Sequence, residues 1–275
     1  MSSPLVLGPI LPGDWPVSST DPSYTGYKQA IINSASTLLD SIQQSEDGSS
    51  SAGFNKIKLF NTNDCPTQTY TSTTASPPGS GETDGFKWHA RVSKHSDLSY
   101  EQFKMGLLEN HSPNEREYIE DCKKAERTQV IKEGEMEIWR MLYTMPFPTT
   151  NRSFSFLIFT SEVPASTSSQ RSFIVVSIPV AHPEAPPEKG YVRGRYVSVE
   201  NCRETPEGVV WTMAVASDPG GMVPAFVSEK AMPSKVSEDV PSFLKWIKKQ
   251  AAPASSSSTT NDAPSLPQID RQEAL

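Results

Sequence analysis

The spacing of apolar residues near the end of the chain predicts a strand, a tight turn and a long amphipathic helix. Residues 209 to 217 are rich in β-favouring side chains, and the sequence DPGG at 218 to 221 ends that run, because proline fixes φ and glycine permits unusual dihedrals. Beyond it, one set of apolar residues recurs at helical spacing on a single face: Val236, Val240, Phe243, Leu244 and Ile247. We predict a helix from about residue 222 to 249, with Pro224 in its first turn. Its apolar face must cover an apolar surface.

The preceding chain predicts one more long helix, two short helices and a series of strands. An apolar stripe predicts the first helix: Tyr27, Ile31, Ala35, Leu38, Leu39 and Ile42. Short helices are expected near residues 98 to 108 and after Ser112, which we take as the helix N-cap with Pro113 as the first helical residue. Strand patterns occupy residues 57–60, 68–73, 86–92, 134–143, 154–163, 173–180, 191–201 and 209–217.

This order of elements predicts an α+β fold. Short strands joined by Pro-, Ser- and Gly-containing loops favour an antiparallel sheet. Residues 154–159 and 173–178 are apolar on both strand faces, which indicates burial on both sides or contact of one side with a ligand. A curved sheet that wraps around the long C-terminal helix accounts for this pattern. Such a sheet can leave an internal hydrophobic cavity beneath the helix.

The two ends differ in composition from the domain between them. Residues 1–22 predict an irregular N-terminal arm, residues 23–250 a single domain, and residues 251–275 a disordered tail rich in Ser, Thr and Pro. A formal net charge of −7 gives no electrostatic case for nucleic-acid binding. No stretch has the ~20 apolar residues of a membrane span, and no basic-apolar leader is evident. We therefore expect a cytoplasmic monomer.

Few residues suggest catalysis or metal binding. The three cysteines and four histidines have no metal-ligand spacing, so we expect no metal, no cofactor and no catalytic residue that the sequence can name. Glu135 and Glu137 share a strand parity and could act as acid and base, although a solvated outer face explains them as well. Arg91, Arg193 and Arg195 either face water or meet a lipid phosphate or carboxylate. No nucleophile-elbow or phosphate-loop motif is present, and the sequence therefore favours a binding protein over an enzyme.

Several segments, in their order along the chain, resemble a known family. They are WHARVSKH at 88–95, NHSPNE at 110–115, FIVV at 173–176, YVSVE at 196–200 and FLKWI at 243–247. Together with the strand, DPGG turn and closing helix, they resemble START domains of the helix-grip, birch-allergen-like superfamily. The closer resemblance is to a fungal START-like branch catalogued as a domain of unknown function. The resemblance covers roughly residues 25 to 249. It implies a deep apolar tunnel, roofed by the C-terminal helix, that holds one lipid-like or other hydrophobic molecule.

These patterns lead to one main functional hypothesis and two alternatives. We expect a lipid or other hydrophobic small molecule to be bound, and exchanged through transient membrane contact as the last helix tilts about Gly220 and Gly221, with Pro233 interrupting the helix. The alternatives are a cavity-type cyclase or isomerase of fungal secondary metabolism, and a non-catalytic adaptor that recruits partners through its tails. We predict that the ligand-binding residues are Trp88, Arg91, Met136, Ile138, Phe156, Ile158, Val175, Arg195, Trp211, Met213, Val223, Phe226 and Val227. Ordinary core packing also explains the apolar members of this set.

Overall fold

The computed structural model describes residues 2–48, 53–62, 65–164, 170–186 and 188–251. The helical elements in this part of the chain are α1 (Tyr24–Glu46), α2 (Tyr100–Phe103), a π-helical turn (Lys104–Leu108), α3 (His111–Tyr118) and α4 (Ala225–Ala251). The strands are β1 (Phe54–Thr62), β2 (Cys65–Ser72), β3 (His89–His95), β4 (Cys122–Lys132), β5 (Met136–Tyr143), β6 (Arg152–Pro164), β7 (Arg171–Pro179), β8 (Val192–Arg193), β9 (Arg195–Thr205) and β10 (Gly208–Asp218).

The strands form one large curved sheet. Its order is β1-β2-β3-β10-β9-β7-β6-β5-β4, and every neighbouring pair on this path is antiparallel. The short β8 lies beside β6 in parallel. Because β10 pairs with both β3 and β9, the last strand joins the two halves of the sheet. It leads into α4, which packs on the half of the sheet formed by β1, β2, β3 and β10. The predicted α+β architecture, with a curved antiparallel sheet and a C-terminal helix, is confirmed.

Both faces of the sheet are covered, one by each long helix. We call the face under α4 the inner face and the face under α1 the outer face. Side chains alternate along each strand, so Phe173 and Val175 of β7 belong to the inner core, whereas Ile174 and Val176 belong to the outer core. The apolar stripe of α1 closes the outer core. This explains why these strands are apolar on both parities.

The N-terminal arm packs against the outer core. Leu5, Leu7 and Trp15 are buried there, and Ile10 forms an isolated bridge with Val180 at the end of β7. The arm therefore completes the outer layer beside α1. Beyond Ala251, the predicted tail lies outside the described residues.

Two predicted helix boundaries differ from those observed. Helix α3 begins at His111, after Asn110 in a left-handed conformation with φ of 51°, so Ser112 lies in the first turn and is not the N-cap. Helix α4 begins at Ala225 and continues through Pro233. A proline inside a helix removes one hydrogen bond, but packing of the helix face keeps α4 continuous. None of the described helices is both long and apolar enough to cross a membrane.

Candidate functional site

The C-terminal half of α4 packs tightly onto the inner face. The ring of Phe243 lies 5.1 Å from that of Trp211 on β10 and 5.3 Å from that of Phe103 on α2. Tyr118 of α3 contacts the other side, with its ring centroid 5.5 Å from Phe243 and 5.7 Å from Trp246. These aromatic contacts fix α4 at one end of the sheet.

The N-terminal half of α4 is much less covered. Met222, just before the helix, is 99 % exposed and Phe226 is 73 % exposed. Glu229 fastens this half to the start of β3: its Oε1 accepts from the Lys87 backbone N–H at 2.9 Å, and its Oε2 lies 3.3 Å from His89 Nε2. Burial lowers the pKa of His89, so this contact does not rest on a charged imidazole at neutral pH.

A cleft of about 720 Å³ lies between the inner face and the start of α3. Trp139 of β5 and Ile158 of β6 form its sheet side, and His111 and Ser112 form its helical side. The volume falls in the range of small-molecule sites, which are typically about 300–1,000 Å³.

A buried arginine lies at the centre of the inner face. Arg91 of β3 is fully buried, and its guanidinium stacks on Trp211 with Cζ 3.8 Å from the ring centroid. Its Nη2 lies 4.0 Å from Glu200 Oε2, which accepts from Trp211 Nε1 at 3.0 Å. The Nε and Nη1 groups of Arg91 have no hydrogen-bond partner. Because an unpaired buried charge is costly, these two N–H groups leave the hydrogen bonding of the interior incomplete.

A second polar group joins α3 to β5. Glu115 accepts a hydrogen bond from the Tyr143 hydroxyl at 2.5 Å, and its Oε2 lies 3.7 Å from His111 Nε2. Since His111 also lines the cleft, this group connects the cleft to the interior beneath α4.

Desolvated side chains on the inner side retain accessible surface. Desolvation raises the pKa of Asp239 on α4 to about 7 and raises the pKa values of Tyr118 and Tyr196 well above their usual range. Each nevertheless remains partly exposed. These three side chains are therefore surrounded by protein atoms and still partly accessible. Asp239 has no hydrogen-bond or ion-pair partner among the described residues.

The structure places about half of the predicted ligand-binding residues on the inner side. Six of them lie in the inner core or on the same strand face as its residues: Arg91, Phe156, Ile158, Val175, Trp211 and Met213. Trp88, Met136 and Ile138 lie in the outer core beneath α1 instead. Strand alternation puts them on the opposite face, so they do not line the space under α4.

The remaining predicted residues lie outside the inner cavity. Arg195 forms ion pairs with Asp84 at 2.9 Å and Asp218 at 2.6 Å. Val223, Phe226 and Val227 lie at the poorly covered start of α4. These three residues lie at or near the protein surface and are not part of the inner core.

The two glutamates considered as an acid–base pair each accept hydrogen bonds from other side chains. Glu135 accepts hydrogen bonds from Tyr24 and Lys28 of α1 and from Lys132. Glu137 accepts from Arg127 and from Trp139 Nε1. Both nevertheless border the cleft of about 720 Å³, together with Arg127 and Glu133, so the outer part of this cleft is charged. In the part of the chain that the structure describes, no group of three or more potential metal ligands comes together.

The sequence patterns did not identify six polar and aromatic residues of the interior: Glu115, Tyr118, Tyr143, Tyr196, Glu200 and Asp239. Strand parity with Trp211 and Arg91 across the β9–β10–β3 register could have found Glu200. No local signal marks Glu115 or Asp239, because their roles arise only when α3 and α4 pack over the sheet.

Comparisons with known proteins identify one similar sequence and several structures with the same fold. An uncharacterized protein, C577.11, of Schizosaccharomyces pombe (strain 972) is 26% identical over 238 residues, covering 84% of this chain and 89% of its own. Human StAR-related lipid transfer protein 5 superimposes with a TM-score of 0.60 at 15% identity, covering 80% of this chain and 98% of that one. Human STARD10 does so with a TM-score of 0.56 at 16% identity, covering 77% and 79%.

The same helix-grip fold, with a sheet gripping its last helix, is thus shared with START domains. A family model described as "Protein of unknown function (DUF3074)" matches residues 88–247, from the start of β3 to the inner-face residues of α4. Since this span covers more than half of the chain, the protein is a member of the DUF3074 family, built on a START-like fold.

Proposed function

We propose that this protein binds one lipid or other hydrophobic small molecule between the inner face of its sheet and helices α3 and α4. The observation that carries the proposal is the cleft of about 720 Å³ between the inner face and the start of α3. Elsewhere on the inner side, Asp239 and Tyr118 are desolvated and yet partly accessible. The shared fold with human StAR-related lipid transfer protein 5 supports the same proposal.

The lining suggests how such a ligand is held. Trp139 and Ile158 offer apolar contact area in the cleft, and each CH₂ group removed from water contributes about 0.8 kcal/mol. The unpartnered N–H groups of Arg91 and the carboxylate of Glu200 offer a donor and an acceptor to one polar group. A hydroxyl would satisfy both, and it would remove the cost of the unpaired guanidinium N–H groups.

Ligand entry is proposed at the start of α4, with transient contact of a membrane. The Met222 segment and the Phe147 loop lie side by side, because Arg152 donates hydrogen bonds to Pro219 O at 2.6 Å and to Thr150 O. Phe147 is 98 % exposed. Apolar side chains on adjacent loops are suited to insertion into a bilayer surface.

Native mass spectrometry tests the binding proposal. Protein incubated with a total lipid extract should carry one bound molecule per chain. Ile158→Trp, which fills the cleft, should abolish this adduct, whereas Val130→Trp, at an exposed position of β4, should retain it. Circular dichroism confirms that both variants fold. A wild-type protein that remains empty after this incubation would contradict ligand binding.

A second candidate, a cavity-type isomerase or cyclase, is favoured by one observation. Glu115 and Asp239 face the same interior, and desolvation raises the pKa of both carboxyl groups, as in carboxylic acids that donate protons near neutral pH. Comparing the mass of the molecule that co-purifies with wild type, Glu115→Gln and Asp239→Asn separates the two functions. An enzyme should leave unconverted substrate on the variants and thus a different mass, whereas a carrier should hold the same molecule in all three.

A further inference from the structure

Strand β1 forms one edge of the ten-stranded sheet and pairs with β2 on one side. Apart from Phe54 and Phe60, all of its residues are exposed, including the apolar side chains of Ile57 and Leu59. Among the described residues, no backbone group outside β2 hydrogen-bonds to residues 54–62. An edge of this kind presents unpaired backbone groups to which another extended chain can add.

The pairing register shows which backbone groups of β1 point away from β2. Asn61 lies opposite Pro66, which has no N–H, so these two residues form a non-hydrogen-bonded pair of the ladder. Leu59 lies opposite Gln68, two positions further along both strands, and therefore belongs to a pair of the same type. The N–H and C=O groups of Leu59 and Asn61 thus point to the open edge.

Two lysines give this edge a preference for negative charge. Lys56 and Lys58 are exposed and have no carboxylate within ion-pair distance among the described residues, although the Lys58 ammonium lies 4.7 Å from the ring centroid of Phe60. A second copy of the chain that added antiparallel to this segment would bring lysines of both copies together, which is destabilising. Acidic side chains at alternate positions of an added strand would instead pair with the lysines.

We infer that β1 binds an extended, acidic segment of a partner protein, which adds to the sheet as one further strand. The backbone groups of Leu59 and Asn61 supply the hydrogen bonds, as in other cases of strand addition. Lys56 and Lys58 select carboxylate side chains, and Ile57 offers apolar contact. The site lies at the sheet edge and does not depend on the ligand site proposed beside α3.

Two-dimensional ¹H–¹⁵N NMR titration of the full chain with three synthetic peptides tests this inference. The first peptide is acidic, acetyl-TEVEVET-amide, and the second is its basic counterpart, acetyl-TKVKVKT-amide. The third is the acidic peptide N-methylated at every residue, which keeps its charges and removes its backbone donors. The acidic peptide should produce saturable shifts at Asn55, Leu59 and Asn61, whereas the other two should not.

Charge reversal at the edge tests the role of the lysines. Lys56→Glu combined with Lys58→Glu should weaken the acidic peptide by about tenfold or more and create affinity for the basic one, since opposite charges attract across strands and like charges repel. Lys123→Glu combined with Lys124→Glu is the matched control, because it makes the same charge change on exposed residues of β4 at the opposite edge of the sheet. It should leave the affinity unchanged.

Leu59→Pro tests the backbone contacts without changing any charge. It removes an N–H that points to the open edge and none that pairs with β2, so the strand tolerates it, and circular dichroism checks the fold. Binding of the acidic peptide should fall by about tenfold or more, because main-chain hydrogen bonds supply the affinity of strand addition.

Three results would overturn the inference: equal binding of the acidic and basic peptides, undiminished binding of the N-methylated peptide, or equal losses in the two double-lysine variants. A full chain that binds none of the peptides would overturn it as well. So would a dimer of the free chain, seen by analytical ultracentrifugation and abolished by Leu59→Pro, because the edge would then belong to a second copy.

Discussion

Arg91 shows how one buried residue can indicate a ligand. Stacking on Trp211 and a 4.0 Å approach to Glu200 compensate part of its charge, but two of its N–H groups have no acceptor. A cation inside a protein is usually fully paired, because leaving it unpaired costs several kcal/mol. The incomplete pairing of Arg91 is consistent with an interior that is completed when a ligand is present.

Asp239 is expected to make stability depend on pH. Its pKa of about 7 lies above the ordinary value of 3.8, chiefly through desolvation, so the folded protein binds more protons than the unfolded chain between these values. Stability should therefore fall as pH rises across that window. Asp239→Asn should have little effect near pH 4 and should raise the free energy of unfolding by about 1 to 2 kcal/mol above pH 7, allowing for partial exposure.

Urea unfolding of both proteins at several pH values measures this difference. Glu238→Gln is the control, since this exposed neighbour contacts only Lys235 and Ser234 at the surface among the described side chains and should change stability by less than about 0.5 kcal/mol at every pH. Arg91, Glu200 and Glu115 also act on Asp239 and are unaltered in both variants. The charge of Glu238 raises the pKa of Asp239 as well, but it is the smallest of these four influences, so its loss in the control should have little effect. A difference between wild type and Asp239→Asn that stays constant with pH would show that the pKa of Asp239 is not raised.

At the scale of elements, α4 has two halves with different packing. Val240, Phe243 and Ile247 are fully buried against the inner face, whereas Phe226 is mostly exposed. One amphipathic helix therefore combines a fixed anchor with a weakly held entrance. The prediction that the last helix tilts about Gly220 and Gly221 concerns this weakly packed half. The predicted interruption of the helix at Pro233 is wrong, because α4 continues through it.

Gly106 of the π-helical turn is expected to control how closely the anchor half of α4 approaches. A Cβ added at Gly106 would lie 2.5 Å and 2.8 Å from two ring carbons of Phe243, and 3.2 Å from Trp246. Gly106→Ala should therefore lower the free energy of unfolding by about 1 to 3 kcal/mol. Gly26→Ala in α1 meets nothing within 4 Å and should instead stabilise by about 0.5–1 kcal/mol. Chemical denaturation of both variants checks the contrast, which would be refuted by a neutral Gly106→Ala.

Glu229 is expected to hold the entrance half of α4 closed. Glu229→Ala removes its contacts with Lys87 N and His89 Nε2, and hydrogen bonds to a charged group contribute about 1.5–3 kcal/mol. Amide hydrogen exchange should accelerate about tenfold or more in residues 225–235 and stay unchanged in residues 240–250. Glu238→Ala, which disrupts only a pair within the helix, serves as the control. Uniform acceleration along α4 would argue that its two halves open together.

At the scale of the whole molecule, the distribution of apolar surface suggests which end meets a membrane. Phe147 and Met222 project from adjacent loops, and Phe226 follows one turn into α4. A formal net charge of −7 gives little general attraction to anionic lipids. Association with a bilayer should therefore depend on apolar insertion and vary little with ionic strength.

The double variant Phe147→Asp, Phe226→Asp tests this orientation. Each phenylalanine that inserts contributes about 1.5–3 kcal/mol, so binding to phosphatidylcholine vesicles should fall by about tenfold or more. Val17→Asp, which replaces another exposed apolar residue on the N-terminal arm, should bind like wild type. Vesicle co-sedimentation measures both, and equal losses in the two variants would point to a different surface.

Much of the fold could be predicted from sequence because it depends on the local periodicity of apolar residues. The stripes of α1 and α4, the DPGG turn and the alternation of the strands each depend on residues a few positions apart. Arg91 and Trp211 were candidates for the same reason, since each lies on a recognisable strand. The residue pattern could not show which side of a strand faces inward. Trp88, just before β3, and Arg91, within β3, are both fully buried although they lie on opposite faces of the sheet.

The sequence by itself determined most of the elements, their order and the family resemblance, because these follow from spacing along the chain. It predicted no strand at β4, which the structure adds at the edge of the sheet. Only the tertiary structure decided that α1 covers the outer face, and hence that Trp88, Met136 and Ile138 pack beneath it. It also brought Glu115, Glu200 and Asp239 into one interior from α3, β9 and α4. The physical reason is that desolvation and pairing depend on which surfaces meet, and residues far apart in sequence share a cavity only after the sheet has curved around α4.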